Sequence, residues 1–172
     1  SYELYNVYDV DNIIRIGSAG AFDDDLNLMD IVLGMGSCTD SNFAAQYNLP
    51  GTYAPIADFT LLKTAYDVAQ EKRFPVKVGN VLASDVFYND DATVNDRWKK
   101  MGVLAVDMES AALYMTAARC RKHALTILTI SDHLYRGEKL SAQERQTGFT
   151  KMMETALETA VRLQNNRQME VL

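Results

Sequence analysis

Runs of apolar, β-branched residues recur along the chain with few interruptions by polar residues. They occupy positions 13–16, 29–33, 76–82, 102–106 and 124–130. Each run has the length of a strand, and near-continuous apolar character is typical of strands covered on both faces. The pattern therefore predicts a sheet in the centre of the fold.

Between and after these runs, apolar residues recur every three or four positions, as on one face of an α-helix. One series extends from Phe59 to Ala69, and another extends from Phe149 to Val161. The segment 109–121 is rich in alanine, which favours a helix packed closely against strands. These segments predict helices that cover the sheet.

Local motifs mark helix ends and loops. Residues 141–144 form a capping-box pattern that predicts the start of the last helix, and the cationic, glycine-ended segment 99–102 predicts a helix terminus. Segments 37–54 and 133–140 are predicted to be loops, and loops of such length in a compact domain are often functional. Because strands and helices mix along the chain, we expect an α/β fold with a single domain over residues 1–172.

The charge balance narrows the class of function. The chain has 17 Lys and Arg against 23 Asp and Glu, a formal net charge of −6, which argues against nucleic acid as a partner. No apolar run approaches the roughly 20 residues that span a bilayer, and no basic and then apolar leader opens the sequence. We therefore expect a cytoplasmic protein with no membrane contact.

Potential metal ligands are few. Cys38 and Cys120 are the only cysteines, and His123 and His133 are the only histidines. Cys120 and His123 have helical spacing, but two soft ligands without two more do not hold a metal firmly. We predict no metal site and no disulfide framework.

Polar residues follow four of the predicted strands, where ligands gather in sheets of this kind. The first of these strand ends, residues 15–20, combines Arg15 and Ser18 with two glycines that let backbone N–H groups approach an anion. The combination suits phosphate, although it has the spacing of neither a P-loop nor a dinucleotide fingerprint. An ordinary strand-end turn is the alternative.

Asp132 follows the most continuous apolar run, so its carboxyl begins in a partly desolvated position suited to a general acid. Capping of the next turn is the alternative role. Arg145 lies thirteen residues further on, just after the predicted cap at Ser141, and can swing toward Asp132 if the intervening loop folds over a site. The alternative for Arg145 is a solvated position on a helix.

Two acids flank a methionine in the segment Asp107-Met108-Glu109. Such acids can bind vicinal sugar hydroxyls while the methionine packs on the ring, although a carboxylate at a helix start is also explained by the helix dipole. Phe87 follows another strand and can stack on a base. The alternative for an aromatic residue near a strand end is a place in the core.

Taken together, the strand ends resemble the hexameric-type bacterial purine nucleoside phosphorylases, within the wider nucleoside phosphorylase and nucleosidase superfamily. The resemblance extends from Ser1 to about Leu163. The matching blocks follow the family order and comprise 14–20 (IRIGSAG), 30–41 (DIVLGMGSCTDS), 83–88 (ASDVFY), 106–112 (VDMESAA), 131–133 (SDH) and 142–147 (AQERQT).

The resemblance implies a three-layer fold with a mixed central sheet flanked by helices, a homohexameric assembly, and inorganic phosphate as co-substrate without another cofactor. It also implies a role for each candidate residue. Arg15 and Ser18 are expected to bind phosphate, Phe87 and Ser131 the base, Met108, Glu109 and Asp107 the ribose, while Asp132 protonates the purine with the assistance of Arg145.

Two departures from the family pattern matter. Asp107 stands where much of the family has Glu, so the side chain expected to contact the ribose is shorter by one methylene. The family's first strand and its glycine-rich phosphate loop precede the region that aligns with Ser1. We therefore expect a domain that is incomplete at its N-terminus, without one phosphate-binding arginine and without residues that a neighbouring subunit contributes.

Three other functions fit parts of the pattern. A nucleosidase acting on methylthioadenosine or S-adenosylhomocysteine shares the Ser-Asp and Met-Glu pairs, but a hydrolase has no use for a cation such as Arg15 at an anion site. Uridine phosphorylase suits Asp132 less well, because the acid matches a protonatable purine nitrogen. A non-catalytic nucleoside-binding remnant fits a chain without the phosphate loop.

Overall fold

The computed structural model describes residues 1–170, which form an α/β fold. The strands are β1 (Asn12–Ala21), β2 (Ile31–Thr39), β3 (Val76–Ala83), β4 (Ala105–Asp107), β5 (His123–His133) and β6 (Glu138–Lys139). The helices are α1 (Tyr2–Asn6), α2 (Phe59–Glu71), α3 (Val94–Lys100), α4 (Ser110–Arg119), α5 (Ala142–Thr147) and α6 (Thr150–Glu170), with a 3₁₀ turn at Phe43–Tyr47.

The strands form one mixed sheet in the order β1-β4-β3-β2-β5-β6, and an additional pairing joins β1 to β5. The pairs β1–β5, β2–β3 and β3–β4 are parallel, and the pairs β1–β4, β2–β5 and β5–β6 are antiparallel. The expected mixed central sheet flanked by helices is confirmed. Because β1 pairs with both β4 and β5, the sheet also closes into a ring, which the apolar pattern did not predict.

Alternate strand residues pack on opposite sides of this ring. One cluster draws on all five strands of the ring and contains Ala19, Ala21, Leu26, Val32, Val81, Ala105, Leu128 and Ile130. The other joins strand residues such as Ile31, Leu33, Leu125 and Ile127 to α2, α4 and α6. Both faces of β2 and β5 are therefore buried, which explains their continuous apolar runs.

Strand boundaries differ from the apolar runs mainly at the carboxyl ends. β1, β2 and β5 continue past the predicted ends through small and polar residues, because their hydrogen-bonded ladders persist there. The predicted loop 37–54 thus begins inside β2 and contains the 3₁₀ turn. The predicted strand 102–106 is wrong at its start, since Gly102 has a φ of +76° just after α3 and only β4 is extended.

The capping box at Ser141 is present, with the Glu144 N–H donating to Ser141 Oγ at 3.2 Å and the Ser141 N–H donating to Glu144 Oε2 at 2.8 Å. It opens the short α5, so the prediction that it opens the last helix is wrong. Helix α5 ends before Gly148, where a Cβ would lie too close to Met29 Cε. α6 begins two residues later.

Three further features bear on the sequence expectations. No helix within residues 1–170 is long and apolar enough to cross a membrane. The same part of the chain contains no group of three or more His, Cys, Asp or Glu side chains that could hold a metal ion. Cys38 and Cys120 are free thiols and are partly buried.

Candidate active site

The register of the ring brings three of the polar strand ends together around Gly20. Gly20 pairs with Val106 of the antiparallel β4 on one side and with Asp132 of the parallel β5 on the other. Because β4 runs antiparallel to β1, the residues that follow Val106 lie closer to Arg15. β3 adds the fourth strand end, because Ala83 pairs with Asp107.

Arg15 is clamped by two carboxylates. Its Nη1 lies 3.2 Å from Asp107 Oδ2, and its Nη2 donates a hydrogen bond to Glu109 Oε2. The Arg15 side chain is only 21% exposed, and a Cβ on Gly17 would lie 2.7 Å from Nη1, so the guanidinium packs directly over this glycine. Within the described residues, Nη1 is buried and has no hydrogen-bond acceptor of suitable geometry.

Asp107 is the buried member of this cluster, and its side chain has no exposed surface. Its carboxylate accepts hydrogen bonds from the Ser110 hydroxyl at 2.5 Å and from the Ser110 N–H at 3.2 Å, at the start of α4. Burial raises the pKa of Asp107 above its ordinary value, against the opposing effects of the Ser110 hydroxyl and the Arg15 charge, while the nearby Glu109 charge adds to the rise.

Glu109 is the exposed member, with 59% of its side chain accessible. It occupies the N-cap position of α4, but its carboxylate turns to Arg15 and accepts a 3.3 Å hydrogen bond from the Met108 N–H. The two acids around Met108 therefore have different environments. Asp107 is held inside the protein, and Glu109 presents its carboxylate at the surface beside Arg15.

Asp132 lies in a second cluster at the end of β5. The Ser131 hydroxyl donates a 2.7 Å hydrogen bond to Asp132 Oδ1, and Arg145 Nη2 lies 3.9 Å from the same oxygen. Asp132 is one-third exposed, whereas Ser131 is buried. The expected approach of Arg145 to Asp132 is thus present in the structure, with the Arg145 Nε–H also donating to the Leu140 carbonyl at 3.3 Å.

The remaining candidates, Phe87, Met108 and Ser18, have exposed side chains. Phe87 is 74% exposed and packs edge-to-face on Tyr88, so the alternative of a core position does not apply. Met108 and Ser18 are also exposed. Within residues 1–170, the side chains of Phe87 and Ser18 make no hydrogen bond or ion pair to either cluster.

Three polar residues that the sequence analysis missed connect these strand ends. Ser84 donates its hydroxyl to Asp40 at 2.6 Å and its N–H to the Asp107 carbonyl at 3.0 Å, which ties β3 to β2 and β4. Ser110 supports the Asp107 carboxylate. Ser84 follows the predicted strand 76–82 closely, and Ser110 has the Asp-x-x-Ser spacing of a helix start with Asp107, so these two residues could have been identified. Asp40 lies within the predicted loop 37–54 and has no such signal.

Comparisons with known proteins identify the family of the chain. A family profile described as the phosphorylase superfamily matches residues 2–164. The purine nucleoside phosphorylase DeoD-type 2 of Aliivibrio fischeri is 51% identical over 162 residues, which cover 94% of this chain and 69% of that protein. The DeoD-type purine nucleoside phosphorylase of a Geobacillus species is 49% identical over 161 residues, which cover 94% of this chain and 68% of that protein.

A further relative, the purine nucleoside phosphorylase DeoD-type 2 of Vibrio cholerae, is 50% identical over 162 residues, again 94% of this chain. Identity at this level over nearly the whole chain, together with the superfamily match, shows the family. The chain belongs to the phosphorylase superfamily and, within it, to the DeoD-type purine nucleoside phosphorylases.

Proposed function

We propose that this site catalyses the reversible phosphorolysis of purine nucleosides and deoxynucleosides to the free base and (deoxy)ribose 1-phosphate. The observation that carries the proposal is the pair of charged clusters at one edge of the ring, with Arg15 between two carboxylates and Asp132 beside Arg145. An anion-binding group and an acid are the two components that phosphorolysis needs. Membership of the DeoD-type family supports the assignment.

In this reaction a phosphate oxygen forms a bond to C1′ of the ribose as the N-glycosidic bond breaks. The bonding electron pair leaves with the purine, so positive charge builds on the sugar and negative charge on the base. Asp132, in its protonated form, donates its proton to the imidazole-side nitrogen of the departing purine and becomes a carboxylate. Arg145, 3.9 Å from Oδ1, stabilises that carboxylate.

Arg15 and Ser18 bind the phosphate in this proposal. The buried Nη1 of Arg15 is paired with Asp107 at 3.2 Å, and the Arg15 side chain is 21% exposed, so the phosphate meets the guanidinium on its exposed side. Asp107, held by Ser110, keeps the guanidinium in place and so acts on the anion through Arg15. The Ser18 hydroxyl is exposed on the same strand.

Glu109 and Met108 contact the ribose. The exposed Glu109 carboxylate accepts hydrogen bonds from sugar hydroxyls and favours the positive charge that develops on the sugar. Met108 packs on the ribose with its exposed side chain. Phe87 stacks on the purine, and Ser131, being buried, serves the base through the orientation of Asp132.

The proposal includes one domain over residues 1–172 that works as a homo-oligomer, a hexamer by family resemblance, in the cytoplasm. Large apolar side chains lie on the surface at Ile56, Phe59 and Leu157, where between 65% and 74% of each is exposed. Single exposed apolar side chains are ordinary on a monomer, so the family resemblance carries this part of the proposal. Sedimentation velocity at micromolar concentration tests this part, and a stable monomer would contradict it.

Phosphate dependence tests the function. The rate of hypoxanthine release from inosine is measured by chromatography over a series of phosphate concentrations, with sulfate added to keep the ionic strength constant. We expect a rate that saturates with phosphate and is negligible without it. Release at the same rate in both conditions would favour the nucleosidase alternative, and no release in either would favour the nucleoside-binding alternative.

A further inference from the structure

The pairing of β1 with β5 is irregular beside Asp132. Ala19 pairs with Ile130, but the next residue, Gly20, pairs with Asp132, so Ser131 is an extra residue in β5. Such a bulge changes the direction of the side chains that follow it and is frequent next to active sites. The bulge sets Asp132 directly opposite Gly20.

Gly20 leaves the space that the Asp132 carboxylate occupies. A Cβ on Gly20 would lie 3.0 Å from Asp132 Oδ2, and 3.2 Å and 3.4 Å from the Cδ2 and Cγ atoms of Leu134. The first distance is shorter than ordinary van der Waals contact, so any side chain at this position displaces the carboxylate by a few tenths of an ångström. Gly20 is also buried, which leaves the carboxylate little room on the protein side.

The two oxygens of Asp132 have different surroundings. Oδ1 accepts the hydrogen bond of the Ser131 hydroxyl and faces the Arg145 guanidinium. Oδ2 rests against Gly20 and accepts no hydrogen bond from the described residues. An oxygen that already accepts a hydrogen bond and faces a cation is a poor place for a proton, so the protonated form carries its proton on the other oxygen.

We propose that Oδ2 is the oxygen that delivers the proton to the purine, and that Gly20 is a positioning residue that sets where this oxygen stands. The inference rests on the phosphorolytic function proposed above. In the step, the Oδ2–H bond breaks as the imidazole-side nitrogen takes the proton. The resulting carboxylate keeps the Ser131 hydrogen bond and the nearby Arg145 charge on Oδ1.

The Gly20→Ala variant tests the inference with two nucleosides. Inosine needs a proton from the enzyme, whereas 7-methylinosine carries a fixed positive charge on its base and leaves without one. A 1 Å displacement of a reacting group can lower turnover by about 100-fold, so a displacement of a few tenths of an ångström should lower turnover by less than that. We expect kcat for inosine to fall about tenfold while kcat for 7-methylinosine stays within about twofold of wild type.

Gly51→Ala is the matched control, because a Cβ at that position meets nothing within 4 Å. This variant should leave kcat for both nucleosides at the wild-type value. Asp132→Asn should show the same selectivity as Gly20→Ala, but with a larger loss on inosine. Equal losses on both nucleosides in Gly20→Ala, or no loss on either, would overturn the role of Gly20.

If Gly20→Ala does not fold, which a large drop in Tm would show, a second variant tests the inference. Ser131→Ala removes the donor from Oδ1 and lets that oxygen hold the proton, so inosine turnover should again fall relative to 7-methylinosine. Equal turnover ratios in Ser131→Ala and wild type would overturn the assignment of Oδ2. Wild-type cleavage that needs no phosphate would refute phosphorolysis but not this inference, since hydrolysis also requires the acid.

Discussion

Replacement of Arg15 by alanine tests the proposed phosphate site and its supporting carboxylates in one variant. The change removes one charged hydrogen-bonding partner of the anion. Such a partner contributes about 1.5 to 3 kcal/mol, or roughly 10- to 150-fold in affinity. We therefore expect the KM for phosphate to rise by that factor, while the KM for inosine changes much less.

The same variant should lose stability, because Asp107 stays buried without its cation. Asp107 has no exposed side-chain surface and lies 3.2 Å from Arg15 Nη1, but it keeps two hydrogen bonds from Ser110. The loss should thus be about 1 to 3 kcal/mol rather than the larger penalty of a bare buried charge. For a domain of this size that corresponds to a fall in Tm of roughly 2 to 12 °C.

Steady-state kinetics at varied phosphate and thermal unfolding measure the two effects. Arg97→Ala is the control, because Arg97 is 64% exposed and its ion pair among the described residues is with an exposed carboxylate, Asp91. Arg15→Lys should be intermediate, since a lysine keeps the charge but not the planar fork that reaches two carboxylates. If Arg15→Ala matches Arg97→Ala in both the phosphate KM and Tm, the reasoning about this cluster is refuted.

Three further predictions concern neighbouring residues. Asp132→Asn should lower turnover on adenosine by roughly 10- to 1000-fold, the scale of general acid catalysis, and an unchanged rate would remove it from the mechanism. Gly17→Ala should raise the KM for phosphate, because its Cβ would lie 2.7 Å from Arg15 Nη1, and an unaltered KM would show that this contact is unimportant. Burial raises the pKa of Asp107 in the folded protein, so wild type loses stability as pH rises through the ionisation of this carboxyl. Asp107→Asn lacks this ionisation, so its free energy of unfolding relative to wild type should increase in urea titrations as pH rises above about 4, and a constant difference would contradict this.

The sequence predicted the elements of the fold well where the signal is local. The apolar spacing from Phe59 to Ala69 lies within α2, whose N-cap Asp58 accepts a hydrogen bond from the Leu61 N–H. The continuous run 124–130 lies within β5, which is covered on both sides. These features depend on propensity and burial pattern within one segment, which a sequence displays directly.

Long-range contacts could not be predicted in the same way. The closure of the ring depends on pairing between β1 and β5, which are about a hundred residues apart in the chain. Between α5 and α6, Met29 leaves no room for a side chain at Gly148, which no local motif reports. In both cases the deciding partner is distant in sequence, so periodicity carries no information about it.

The sequence predicted the residues of the candidate site better than the contacts between them. Its residues could be named from the strand ends and the family resemblance, but their pairing could not. The different environments of Asp107 and Glu109 follow from their positions relative to Arg15, on a strand more than ninety residues earlier. The bulge at Ser131 is likewise a property of strand register, which the sequence does not encode locally.

The fate of the sugar distinguishes phosphorolysis from hydrolysis in a single measurement. Inosine and phosphate are incubated with the purified chain, and ³¹P NMR follows the phosphate signal while chromatography follows the base. We expect one ribose 1-phosphate for each hypoxanthine released, and both products should form more slowly, to the same extent, in Asp132→Asn. Release of hypoxanthine with free ribose and unchanged inorganic phosphate would contradict it.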